Sequence, residues 1–217
     1  MKLVYRTLIA ACVIAGLASA AMAGENSNAK ILLHVTAPIA THPCTRVPAD
    51  CRTAVVSGVV GNYYYAFVCV ANHSDSVGVA GLQFGIDYNG NTGAGVDVIE
   101  WRTCGDLEFS SPEWPNANSG NLITWVPETH CRIGPTMFAA GYFYIGVYTA
   151  DRLAIIPRPV DGWAKVADCN AKEDNLTDKS PSALGYADFG TGSGYNPCGT
   201  IVPVQEATWS GVKALFR

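Results

Sequence analysis

The stretch "GVAGLQFGIDYNGNTGAGVD", residues 78–97, decides the fold class. Ala80, Leu82, Phe84, Ile86 and Tyr88 fall on one side of an extended chain, and Gly81, Gln83, Gly85 and Asp87 on the other. That period of two predicts a half-buried strand with an apolar inner face and a flat, sparsely decorated outer face. Asp87, Asn89 and Asn91 follow at every second position, ahead of glycines. Oxygen donors at loop positions 1, 3 and 5 suit calcium, which makes these three a weak calcium candidate. Position 6 is Thr92 rather than Gly and position 12 is Val98 rather than Glu, so the ligand set is incomplete. Asn89-Gly90 is a strong short-turn signal, and the expected reading is a hairpin or longer loop. No helix follows the glycines, which speaks against a phosphate cradle.

Outward from this strand, the chain keeps the same style. "ILLHVTA" (31–37), "NYYYAFVCVAN" (62–72), "GVDVIEWRT" (95–103), "NLITWV" (121–126) and "MFAAGYFYIGVYTA" (137–150) read as strands, followed by the shorter "RLAII", "WAKVAD" and "LGYADFG". The 62–72 and 137–150 runs are apolar on both faces and are expected at sheet centres, with Gly141 and Gly146 marking bulges or close backbone approaches. No internal helix has a convincing period. About nine strands separated by turns predict an all-β, two-sheet β-sandwich, jelly-roll-like, over residues 24–203.

The ends read differently. Lys2 and Arg6, an apolar run over 7–20, and Ala21 and Ala23 make a secretory signal peptide over 1–23, cleaved near Ala23, in a bacterial style. No other run is long and apolar enough to span a membrane, so no span is expected in the mature chain. In the tail, 204–217, Trp209, Val212 and Phe216 share a helical face with Leu215 beside them, a short amphipathic docking helix. The net charge of −4, without a basic cluster, argues against nucleic acid as a partner.

Of eight cysteines, Cys12 leaves with the leader. Cys44, Cys51, Cys104, Cys131, Cys169 and Cys198 lie in loop-like sequence, and proximity along the chain pairs them as Cys44–Cys51, Cys104–Cys131 and Cys169–Cys198. Cys69, inside an apolar run, is expected to be a buried thiol. The absence of CxxC spacing and the isolation of the four histidines leave no metal set, and no cofactor is expected.

For acid/base chemistry, Asp106 with Glu108 and Asp168 with Asp174 are the paired carboxylates on offer, and nothing distinguishes either pair from solvated edges. Neither G-x-S-x-G nor H-E-x-x-H occurs, so no enzyme is expected. Trp114 lies in a loop between prolines, where it either plugs the sandwich or stands exposed to stack on a sugar ring.

"VAGLQFGIDYNG", with "GVDVIEW" and "VDGWAKVADC", resembles cohesin modules. The chain also resembles a group of secreted bacterial proteins carrying "GLQFGIDY", "CGDLEF" and "ADCNA". The cohesin resemblance implies a non-catalytic sandwich that binds a small protein partner through a flat sheet face, here Gly81, Gln83, Gly85 and Asp87. The six loop cysteines depart from the cohesin pattern. "TWSGVKALFR" resembles C-terminal segments that serve sorting or attachment on exported bacterial proteins. Together these imply an extracellular or cell-surface interaction module with a protein partner; the alternative is a polysaccharide-binding protein using exposed aromatics, Trp114 first.

Overall fold

A computed structural model describes residues 24–39, 41, 43–179 and 182–199. The expected leader over 1–23 and the tail positions Trp209, Val212, Leu215 and Phe216 lie outside the described residues. The strands are β1 (Lys30–Thr36), β2 (Ser57–Gly58), β3 (Tyr63–Ala71), β4 (Gly81–Asp87), β5 (Val96–Thr103), β6 (Leu107–Glu108), β7 (Ser119–Thr124), β8 (Met137–Val147), β9 (Asp151–Ile156), β10 (Lys165–Ala167), β11 (Glu173–Asn175) and β12 (Tyr186–Phe189). One four-residue helix, α1 (Pro127–His130), interrupts them.

They form a β-sandwich. A four-stranded antiparallel sheet has the order β1-β3-β8-β5, and an eight-stranded sheet runs β11-β10-β4-β9-β12-β2, with β7 on the other edge of β4 and β6 beyond it. All nine stretches read as strands are present; β2, β6 and β11 are additional. β4 occupies a central place in its sheet because β7 pairs along one edge while β10 and β9 divide the other. Its inner residues Leu82, Phe84 and Ile86 share one buried cluster with Ala66, Val68 and Val70 of β3 and Phe143, Ile145 and Val147 of β8. Burying each such side chain stabilises the fold by about 1.5–3 kcal/mol.

From Ala66 to Ala71 β3 is buried on both faces, as its composition predicts, but its second cover is not a sheet. Leu32, Phe67, Cys69, Ala71, Met137 and Ala139 lie under Cys51 and Ala54, with Val47 and Ile39 at the margin. The proline-rich segment after β1 therefore crosses the outer face of the four-stranded sheet.

That crossing also overturns the expected disulfide pairing. The bonds are Cys44–Cys104, Cys51–Cys198 and Cys131–Cys169, with Cα separations of 5.8, 6.0 and 5.9 Å. Neighbours in sequence are held apart: two 3-10 turns, Pro43–Thr45 and Cys51–Thr53, send Cys44 to the end of β5 and Cys51 to the last described turn. Cys69 is fully buried and free, and burial pushes its thiol far above the ordinary range. A thiol so placed is inert.

The loop after β4 is not a hairpin. It carries the chain from the eight-stranded sheet to β5 in the four-stranded one, with positive φ at Gly93 and Gly95 rather than at Asn89-Gly90. Asp151 anchors it by accepting hydrogen bonds from the backbone N–H groups of Asn89 (3.1 Å) and Val96 (2.8 Å).

A second carboxylate ties β9 to β12. Arg152 donates from Nε and Nη2 to Asp188 (2.7 and 3.2 Å), its guanidinium lies 3.8 Å from the centre of the Tyr186 ring, and Gly194 N donates to the same carboxylate. The Arg152 hydrogen bonds hold the Asp188 carboxyl below its ordinary value, against an opposing effect of burial. A depressed native pKa gives stability that is complete above the unfolded value of about 4 and lost as pH falls through the native one. Urea unfolding at several pH values should therefore show Asp188→Asn less stable than wild type at pH 7, with the difference closing below pH 4. A gap that is constant with pH would mean the carboxylate charge contributes nothing.

Candidate functional site

Small residues hollow the outer face of the eight-stranded sheet. Gly81 of β4 and Ala167 of β10 pair in register, and a Cβ added to Gly81 would stand 3.1 Å from that of Ala167. With Thr124 beside them they form the floor of an apolar groove of about 350 Å³. Its walls are Leu107 of β6, the Trp125-Val126-Pro127 corner and Ala171. Leu107 is 58 % exposed and Val126 41 %, unusual values for such side chains standing together. A smaller hollow, sharing Gly81, Thr124 and Ala167, extends the groove towards Gln83, Leu122 and the Lys165–Glu173 ion pair (2.8 Å).

Two carboxylates stand at the rim, and both are engaged locally. Asp106 accepts from Val126 N (2.7 Å) and pairs with His130 Nδ1 (2.8 Å); the backbone donor, then His130, holds its carboxyl below the ordinary range. Asp168 Oδ1 accepts from Asn170 N and Lys172 N, both at 2.8 Å, and closes the turn carrying Ala171. Glu108 accepts from Trp101 Nε1 (2.7 Å) and from Asn121 Nδ2. Asp174 accepts from Asn26 N (2.9 Å). Each carboxylate singled out for acid/base work thus serves as a cap or clamp.

Of the residues expected to share one flat face, Gly81 and Gln83 border one hollow, while a loop crosses over Gly85. Gly81 lies in the groove. Gln83 donates to Asp161 Oδ1 (2.8 Å) and to Trp163 O (3.3 Å), tying it to the loop after β9. Gly85 lies beneath that loop: a Cβ on it would meet Pro157 O and Pro159 Cδ, each at 2.8 Å. Asp87 pairs with Ala154 at the far end. Alternation reports which side a residue faces, not what crosses over it.

Of the two readings of Trp114, the plug is the one the packing favours. The side chain is half-buried, with its ring 5.1 Å from Trp101 and 5.6 Å from both Phe84 and Phe143. Within the calcium candidate, Asn89 Oδ1 accepts from Asn91 N (3.2 Å) and Asn91 Nδ2 (2.8 Å). Among the described residues no group of three or more His, Cys, Asp or Glu is placed to hold a metal ion.

A second surface escaped the sequence reading. On the open half of the four-stranded sheet, Tyr65 stands directly opposite Tyr144, Phe67 opposite Tyr142, and Tyr63 opposite Gly146. Ring centres are 5.7 Å apart for Tyr63–Tyr144 and 4.9 Å for Tyr65–Tyr142. The signal was present in "YYY" (63–65) and "YFY" (142–144), where every second residue faces one way.

No protein-family model matches the chain, and no curated protein sequence does either. Solved structures do match, cohesin modules among them. A cohesin in a type I cohesin–dockerin complex from Clostridium thermocellum has a TM-score of 0.46 at 14 % identity, covering 74 % of this chain and 98 % of its own. The seventh ScaB type I cohesin of Pseudobacteroides cellulosolvens has a TM-score of 0.44 at 9 % identity, with coverages of 82 % and 96 %. The cohesin module of a Clostridium perfringens family 33 glycoside hydrolase has 0.43 at 11 %, with 74 % and 98 %.

Proposed function

We propose that this chain is a non-catalytic extracellular interaction module that docks a small protein partner on the outer face of its eight-stranded sheet. The observation that carries this reading is the apolar groove over Gly81 and Ala167, walled by exposed Leu107 and Val126. An apolar hollow with a polar rim excludes water from a partner's side chains, which is how the buried centre of an interface works. Asp106 and Asp168 at the rim are engaged with backbone donors, which suits positioning rather than proton transfer. β4, which bears the cohesin-like stretch, supplies the groove floor. The extracellular setting is supported by three disulfides. Among the described residues, no helix is long and apolar enough to cross a membrane.

The test starts from secreted host proteins captured on the immobilised chain. Each captured protein is purified and titrated calorimetrically against wild type, Leu107→Asp and Val126→Asp. Placing a carboxylate in the groove should weaken the true partner at least about tenfold, or about 1.4 kcal/mol. A partner that binds both variants as tightly as wild type, or the absence of any that binds, overturns the reading.

A further inference from the structure

The stapled segment covers only half of the outer face of the four-stranded sheet. The open half carries Tyr148, Tyr63, Tyr144, Tyr65 and Tyr142 in sequence along the face, ending at Phe67, which is fully buried under the staple. Tyr63 and Tyr148 are 49 % and 45 % exposed, while Tyr65, Tyr142 and Tyr144 are half-buried. Tyr63 and Tyr144 lie close to parallel, at 26°, and Tyr65 turns edge-on to Tyr144, at 81°. Gly146 makes the arrangement possible: a Cβ there would meet Tyr63 Cε1 at 3.1 Å and Tyr148 Cε2 at 3.3 Å, so both rings occupy space that any other residue would fill. Along the adjacent strand β5, Asp97, Glu100 and Arg102 stand opposite Gly146, Tyr144 and Tyr142, with Arg102 paired to Glu100.

We propose that this tyrosine face is a binding platform for a neutral polysaccharide whose sugars have equatorial hydroxyls, such as a β-1,4-linked glucan. A pyranose of that kind is amphipathic in the same sense as the surface. Its flat C–H face packs on an aromatic ring, and its hydroxyl edge finds phenol, carboxylate and guanidinium partners. The row itself contains no aliphatic anchor, and every exposed ring in it carries a hydroxyl, unlike the groove on the opposite sheet. The charges beside the row are mixed and partly paired, which favours an uncharged ligand over an acidic one. The rings ride on rigid, central strands, so little side-chain freedom is lost on binding. This site is independent of the protein-docking groove, which lies on the other sheet.

The test is native affinity electrophoresis of the mature protein in gels containing hydroxyethyl cellulose, with soluble starch and carboxymethyl cellulose as comparisons. Wild type should be retarded most strongly by hydroxyethyl cellulose. Measured against each variant's own mobility in a gel without polysaccharide, Tyr63→Ala and Tyr148→Ala should each weaken retardation at least fivefold, while Leu107→Asp is retarded as much as wild type. Tyr148 follows the end of β8, so its replacement leaves the strand pairing intact; unchanged thermal midpoints confirm that the variants are folded. Absence of retardation by hydroxyethyl cellulose overturns the proposal, as does retardation unaffected by both tyrosine variants. A concentration-dependent dimer that Tyr63→Ala abolishes, with no retardation of wild type, would instead make the face a contact between copies of this chain and equally overturn it.

Discussion

Phe143→Ala should lower the stability of the protein by about 3–5 kcal/mol. Phe143 is fully buried on β8, with its ring 4.5 Å from Trp101 and 5.6 Å from Trp114. Phe84 of the opposite sheet completes the group, 5.6 Å from Trp114 and 6.3 Å from Trp101. The four rings join β4, β5, β8 and the loop before β7, so the lost ring leaves a cavity at the point where the sheets meet. How far a cavity closes sets the cost within the range. Here closure is resisted: the Trp101 indole is held by its hydrogen bond to Glu108, and its six-membered ring occupies the space a Cβ at Gly141 would take. The upper half of the range is therefore expected. Urea unfolding followed by tryptophan fluorescence measures it, and an unchanged slope with denaturant shows that the native state is still compact. A loss below about 1.5 kcal/mol would mean that Trp114 and its loop move in to fill the hole.

Replacing Cys51 and Cys198 together by alanine should cost about 4 kcal/mol. Their bond spans 147 residues, which alone would give about 5 kcal/mol on the chain-entropy model. The other two bonds shorten the loop it closes in the unfolded chain to roughly 65 residues, which brings the estimate down to about 4 kcal/mol. A second readout is local. Cys51 and Cys198 lie over the patch containing Phe67 and Cys69, so their removal loosens the cover above the one free thiol among the described residues. Cys69 should be unreactive towards a thiol reagent such as Ellman's in the wild type and should react in the variant well below its unfolding midpoint. If it stays protected, the staple is not what seals that face.

Much of the sandwich was legible because apolar side chains on a strand must alternate or fill both faces. β4 and β3 show the two cases, and each holds the place its pattern predicts. β2, β6 and β11 were not legible, since two or three residues carry no period. The disulfide partners were hidden for a different reason. Sequence distance is informative only when the chain between two cysteines stays local, and the segment after β1 leaves to cross a sheet. The candidate faces divide the same way. Gly81 could be assigned to the outer side of β4, but the loop that roofs Gly85 comes from beyond β9, some seventy residues later. The tyrosines of β3 and of β8 each showed their alternation, yet only the register between the two strands brings Tyr65 opposite Tyr144.

The bond between Cys51 and Cys198 also has a mechanical meaning. A load applied at residues 24 and 199 reaches Cys51 and then passes directly through the sulfurs to Cys198, bypassing the chain between them. The other two bonds already leave a path of only about 65 residues between these sulfurs, so at about 3.4 Å per extended residue this bond withholds roughly 220 Å from stretching. Only β1 and the segment leading to Cys51 lie in the line of force. The groove and the tyrosine face both lie in the bypassed chain, so neither is deformed by a load that takes this path.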